Sequence, residues 1–308
     1  MADADARFWS LRSFLFVPGG QSRMIEKART LAADAIILDL EDAVAPDGKA
    51  AARALVARAL EEGFPASPVV LVRVNGCASG LLEDDLAQVV RPRVDGICLP
   101  KCQDAQEVLL LDRLLADAER RTGKPAGALW LVPFIESPGA VLEAAQIAAG
   151  APRVAALSFG AEDLAAAMGI ARTREGDEVV YPRAHMALAA HAAGRAAIDG
   201  VFIDFRDADG LEQDIRRGRS LGYTGKQLIH PSQIEPTNRL FSPDPEVVAR
   251  ARRMVDTFDA AVAAGQGVVV VDGQMVDRPV AERARRMLAV AAAHAARAGH
   301  EPGPGGTA

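Results

Sequence analysis

Residues 35–46 read AIILDLEDAVAP. The run AIILDL (35–40) is apolar on successive positions, broken only by Asp39, rather than on alternate ones. A strand of that kind is covered on both faces, which is the habit of parallel sheets wrapped by helices. It then runs into Glu41 and Asp42, with Pro46 close behind. Three carboxylates at the end of a buried strand either discourage edge pairing or prepare a place for a cation.

The same pattern recurs along the chain. Short apolar runs are SFLFVP (13–18), AIILDL (35–40), VVLVRV (69–74), GICLP (96–100), LWLVPFI (129–135), VAALSF (154–159), GVFIDF (200–205) and KQLI (226–229), separated by longer Ala, Arg and Glu rich segments. Strands alternating with amphipathic helices give an α/β fold, and eight repeats predict a closed (β/α)8 barrel of the TIM type. The rival is an open doubly wound sheet, but VPGGQSRM (17–24) is neither a GxGxxG nor a P-loop. The predicted organisation is a barrel over 11–240, a helical C-terminal lid over 241–298, and a disordered Gly and Pro rich tail over 299–308. Within the lid, helices are expected near 245–264 and 279–297, flanking the valine run GQGVVVVDGQMVDRP.

Composition narrows the function. Of 308 residues, 35 are Lys or Arg and 41 Asp or Glu, a mildly acidic balance that argues against a nucleic-acid partner. Half the residues are hydrophobic, enough for a large core without disulfides. Cys77, Cys98 and Cys102 form no CxxC pair, which argues against zinc and for reduced thiols. The start, MADADARFWSLRS, is too polar for a signal peptide, and no apolar run approaches the ~20 residues of a membrane span, so a cytoplasmic protein is expected.

In such barrels catalytic groups gather at the C-terminal ends of strands. Those ends carry Pro18 and Gly19; Asp39, Glu41 and Asp42; Arg73 and Asn75; Lys101; Glu136; Glu162 and Asp163; Asp204; and His230. So many acids against two firm cations call for a divalent ion, and oxygen ligands without a His or Cys cluster favour Mg2+ or Mn2+. A single acid after a strand ordinarily caps the next helix. Glu136 resists that role because Ser137 and Pro138 already supply the cap and the first helical residue. Glu162 and Asp163 are interchangeable at this level. Arg73 inside an apolar run needs an anionic partner, and His230 before Pro231 reads as structural.

Together the stretches RSFLFVPGG (12–20), LDLEDAVAP (38–46), VRVNG (72–76), LPK (99–101), PFIESPGA (133–140), FGAEDLAA (159–166), IDGVFIDFRD (198–207), GKQLIHPSQI (225–234) and DGQMVDRP (272–279) resemble the citrate lyase β-subunit-like acyl-CoA lyases of the HpcH/HpaI aldolase superfamily. VRVNGCASGLLEDDL, GYTGKQLIHPSQI and FSPDPE look most like the stand-alone citramalyl-CoA and malyl-CoA lyases. The resemblance implies an Mg2+-dependent homotrimer, or a hexamer, that reversibly cleaves a 3-hydroxyacyl-CoA into acetyl-CoA and pyruvate or glyoxylate. It implies Glu136 and Asp163 as the metal ligands, with substrate and water completing the shell. Arg73 holds the carboxylate and developing oxygen charge of the oxo acid, while Glu41 and Asp42 accept hydrogen bonds from water around the ion. Asp277 is the lid acid lent by a neighbouring subunit, and Arg23, Lys27, His230 and Pro231 lie near coenzyme A. The alternatives are a citrate lyase β subunit acting on a carrier-protein thioester, a malyl-CoA thioesterase, a class II aldolase on free oxo acids, and a barrel that binds acyl-CoA without turnover. The acyl substituent is not legible.

Overall fold

The computed structural model describes residues 7–64 and 69–298; the tail expected to be disordered, 299–308, lies outside the described residues. The chain divides into two compact units, Leu11–Phe241 and a second formed by the chain from Ser242 with the N-terminal end. No helix among the described residues is long and apolar enough to cross a membrane.

The first unit is a closed barrel of eight strands in sequence order. They are β1 (Ser13–Pro18), β2 (Ala35–Asp39), β3 (Val69–Arg73), β4 (Gly96–Leu99), β5 (Trp130–Ile135), β6 (Ala156–Phe159), β7 (Ala196–Asp199) and β8 (Gly225–Leu228). All neighbours pair in parallel, and β8 closes on β1 through Phe14 opposite Gln227. Ile36, Ile37 and Leu38 are all buried, as a strand covered on both faces requires.

Seven of the expected runs fall on strands. The seventh in order does not: the expected strand GVFIDF (200–205) is replaced by AAID (196–199), which ends where the other began. Its Ala196 and Ala197 are fully buried, and its Asp199 carries a buried charge met by Arg183 and Lys226. Small residues and a compensated charge hide a strand from an apolarity count. Past Gly200 the chain leaves the sheet, and Ile203 and Phe205 are exposed. Asp204 therefore sits beyond the strand end, where its side chain accepts the Arg206 N–H at 3.1 Å and shapes a turn.

The second unit has its own small core of Ala251, Met254, Phe258, Val271, Val276, Ala281 and Ala284. It is built from the helices Pro245–Ala263 and Arg278–Ala298 and a hairpin, β9 (Val269–Val271) and β10 (Gln274–Val276). The two turn residues, Asp272 and Gly273, have φ of 50° and 76°. An Asp-Gly pair suits that left-handed two-residue turn. Asp244 caps the first helix by accepting the Glu246 N–H at 2.7 Å, with Pro245 at the first position.

Candidate active site

The carboxylates after β2 are organised from within. Asp39, 2% exposed, accepts the backbone N–H of Glu41 at 2.9 Å and of Ala43 at 3.2 Å, fixing the loop that carries Glu41 and Asp42. It also receives a two-pronged grip from Arg73, Nε to Oδ1 and Nη2 to Oδ2, both 2.7 Å. Asp39 and Arg73 are register partners across β2 and β3. The anionic partner that Arg73 needed is thus its strand neighbour. The guanidinium lies over Phe16 at 4.8 Å and near Phe134 at 5.9 Å. Burial alone would ease its proton off, but Asp39, Glu41 and Glu136 outweigh burial and hold it charged. Its Nη1 stands 3.2 Å from Glu41 Oε2, an oxygen that accepts no hydrogen bond among the described residues.

Glu136 follows β5 and is 5% exposed. Its Oε2 accepts the backbone N–H of Lys101 at 2.7 Å. Burial first, and then the charge of Asp163, push its carboxyl up to about 7, against the pull of Arg73 and that N–H. Room for the side chain depends on Gly160, where a Cβ would stand 2.2 Å from Glu136 Cγ and 2.8 Å from Oε1. Asp163 lies in the first turn of the helix Ala161–Met168, after β6. Its neighbour Glu162 is paired with Arg172 at 2.9 Å. The two acids that the sequence left interchangeable are therefore placed differently: one is neutralised by Arg172, the other acts on Glu136.

Lys101 is a strand-end cation whose role the sequence does not mark. Its φ is +51°, a left-handed conformation uncommon for a residue with a side chain. Its Nζ donates to Glu41 Oε1 at 2.5 Å and to Asp42 Oδ1 at 3.0 Å. Burial pushes Glu41 up and the cations only partly reverse that; at Asp42 burial also pushes up, but Lys101 wins and the carboxyl is lowered. The signal in LPK was one charged residue directly after a buried strand. The backbone twist that gives it two functions at once has no sequence mark.

A cavity of about 340 Å³ at the barrel mouth is lined by Asp42, Arg73, Glu136, Glu162, Asp163 and Gln227 among others. Among the described residues no three His, Cys, Asp or Glu side chains stand close enough to hold an ion by themselves. The fit for a divalent cation rests on the chemistry of Glu136 and Asp163, two carboxylates that line the same cavity. Such a hard donor set suits Mg2+, which normally keeps several positions for water or substrate.

The structure brings Glu41, Asp42, Arg73, Glu136 and Asp163 into this one cluster. Arg23 and Lys27 are exposed on the helix Ser22–Ala28 and do not line the cavity. His230 caps the short turn Pro231–Gln233, its Nδ1 accepting the Ser232 N–H at 3.2 Å, and stacks on Phe205 at 4.6 Å. Asp277 belongs to the second unit, where it accepts the Val280 N–H at 3.2 Å and caps the helix Arg278–Ala298.

The sequence model of the HpcH/HpaI aldolase/citrate lyase family matches residues 12–231. The chain belongs to that family. Among its relatives, a (3S)-malyl-CoA thioesterase of Cereibacter sphaeroides (strain KD131 / KCTC 12085) is 39% identical over 92% of this chain and 96% of its own length. The citrate lyase subunit beta of Leuconostoc mesenteroides subsp. cremoris is 36% identical over 92% and 94%. In structure, the protein CitE from Mycobacterium tuberculosis, in complex with magnesium, acetoacetate and coenzyme A, superposes with a TM-score of 0.72 at 33% identity, covering 91% of this chain and 98% of that one. The family match spans β1 to β8 and takes in every member of the cluster; the C-terminal unit lies beyond it.

Proposed function

We propose that this member of the family is an Mg2+-dependent carbon–carbon lyase that cleaves a 3-hydroxyacyl-CoA, citramalyl-CoA or malyl-CoA, to acetyl-CoA and pyruvate or glyoxylate, and runs in reverse. The observation that supports it best is the set of side chains that line one cavity at the barrel mouth: Asp163 and the buried Glu136, two oxygen donors, together with Arg73. The relative from M. tuberculosis carries magnesium and coenzyme A with a small oxo acid, acetoacetate.

Glu136 and Asp163 would hold the ion, which when bound supplies Lewis acidity at the oxygen that changes between hydroxyl and carbonyl. The remaining chemistry falls to the chain. Arg73, locked by Asp39 and two aromatic rings, keeps N–H donors toward the cavity for the carboxylate and developing oxygen charge of the oxo acid. Glu41 and Asp42 orient water at the rim. In cleavage the hydroxyl proton passes to water oriented by Glu41 and Asp42, the electron pair of the breaking carbon–carbon bond goes to the thioester enolate, and a protonated Asp277 gives its proton to the enolate carbon. In condensation Asp277 removes that proton. By resemblance Asp277 comes from a neighbouring subunit of a homotrimer, and closure of its segment keeps water from the enolate. Coenzyme A would lie across the mouth toward Arg23, Lys27, His230 and Pro231.

A second reading, thioester hydrolysis, is favoured by the 39% identity to the malyl-CoA thioesterase. One experiment separates the two. Citramalyl-CoA, malyl-CoA and citryl-CoA are offered with Mg2+, and oxo acid and free thiol are measured together. Oxo acid without free thiol is expected. Free thiol without oxo acid would establish the hydrolase, and turnover undiminished by exhaustive chelation would overturn the metal assignment.

A further inference from the structure

Asp39, Asp42, Glu136, Glu162 and Asp163 line the mouth, and Glu41 is paired with Arg73 and Lys101, yet among the described residues no three of these carboxylates converge as a cation site. One residue contacts three of them. Lys101 takes Glu41 at 2.5 Å and Asp42 at 3.0 Å on its ammonium, while its backbone N–H takes one oxygen of Glu136 at 2.7 Å. The left-handed backbone at Lys101 permits both, since it sends the N–H toward β5 and the side chain toward the loop after β2. Gln103 Nε2 secures the twist by donating to the Lys101 carbonyl at 2.7 Å. A strained residue held on several sides at the edge of a site is a sign of function.

We infer that Lys101 is a positioning residue that limits the ligand set: its ammonium holds Glu41 and Asp42 away from a divalent ion seated between Glu136 and Asp163, so that the ion keeps open positions for substrate. This rests on the metal reading proposed above. An octahedral ion has few positions, and every carboxylate that enters one displaces a substrate oxygen. Without the ammonium, Glu41 and Asp42 are free to swing inward, and the local charge becomes more negative. Affinity for the ion and turnover then move in opposite directions. A merely structural lysine would weaken both.

Lys101→Gly is the informative variant, because glycine accepts a φ of +51° and retains the N–H to Glu136 while losing the side chain that carries the ammonium. Mn2+ binding to the full-length protein is followed by the loss of the free-ion electron paramagnetic resonance signal, with thermal melting as the check on folding. Lys101→Gly should bind Mn2+ more tightly, by about tenfold for one removed positive charge at close range, while kcat falls. Lys101→Arg should restore both toward wild type, and adding Glu41→Gln to Lys101→Gly should reverse the tightening. Unchanged or weaker Mn2+ binding in a folded Lys101→Gly overturns the inference alone. No Mn2+ binding by wild type, or undiminished binding by Glu136→Gln, overturns the metal reading and the inference with it.

Discussion

The barrel carries two clusters of charge, and they are built on opposite terms. Between the sheet and its helices, Arg183 and Lys226 face Asp199 and Asp214. Arg183 reaches Asp199 at 2.8 Å and Asp214 at 2.8 Å, and Lys226 reaches Asp199 at 3.1 Å and Asp214 at 2.5 Å. Lys226 also donates to the Gly200 carbonyl at 2.6 Å. Two cations meet two anions, and Asp214, though raised by burial, is brought down to about 2 by its partners. At the mouth, Arg73 and Lys101 meet Asp39, Glu41, Asp42, Glu136 and Asp163, and the balance fails on the Glu136 side. A fold that can satisfy buried charge completely in one place and leaves it unsatisfied in another is showing where something external belongs.

The largest test of that contrast is Glu136→Gln. With the shape kept and the donor charge removed, turnover should fall by about 10³-fold or more, of the order of 4 kcal/mol in barrier. Metal-free thermal stability should not fall, since burial and Asp163 already favour the uncharged form. Asp277→Ala should be comparably inactive. Mixed with Glu136→Gln under conditions where mass-tagged chains exchange, it should regain part of the activity if, as proposed, Asp277 serves the Glu136 and Asp163 of a neighbouring subunit. Exchange without any recovery would place the lid acid in its own subunit's service.

In the balanced cluster the same kind of change should act on stability instead. Lys226→Met leaves Asp199 and Asp214 short of a partner, and breaking a buried pair this way costs about 3–5 kcal/mol. The kcat of the protein that remains folded should stay within a few fold. Acid sensitivity gives an independent sign. Asp214 contributes stability that is present above its ordinary 3.8 and is lost as pH falls through about 2, so removing Lys226 should move acid unfolding to higher pH. Loss of turnover with undiminished melting temperature would erase the distinction between the clusters.

Arg73→Lys comes next. An ammonium cannot reproduce the planar fork that holds Asp39 and still offers donors to the cavity. Activity should fall about 10²-fold, equivalent to ~2.7 kcal/mol, mainly through affinity for the oxo acid in condensation. Unchanged pyruvate or glyoxylate kinetics would remove Arg73 from the substrate.

How far the sequence went follows from the same contrast. Runs such as AIILDL announce a parallel sheet because their burial is purely apolar, and strand ends then point to the mouth. AAID does not stand out in the sequence because its charge is compensated by Arg183 and Lys226, residues distant in sequence whose approach only the fold creates. Lys101 is visible in the sequence as a strand-end cation, but its left-handed backbone angle is not. Arg73 was read as needing an anion, and the partner proved to be the strand neighbour, Asp39.

The smallest expected effect decides the remaining ambiguity. Glu162 and Asp163 are adjacent, both acidic, both in the first turn of one helix. Helical geometry turns successive side chains by about 100°, so only one can face Glu136 squarely. Glu162 has its own partner in Arg172, which is also held by Glu178. Removing the Glu162 charge therefore breaks a partly exposed ion pair, worth about 0.2–1 kcal/mol. Glu162→Gln should lower melting temperature slightly and leave turnover and Mn2+ affinity within a few fold of wild type. Asp163→Asn should match Glu136→Gln in both. The reverse result, an inactive Glu162→Gln beside an active Asp163→Asn, would move the ligand one residue along the helix. It would also require the Arg172 pair to open when the ion binds, and an arginine released in that way would show as faster proteolysis of the segment 171–179.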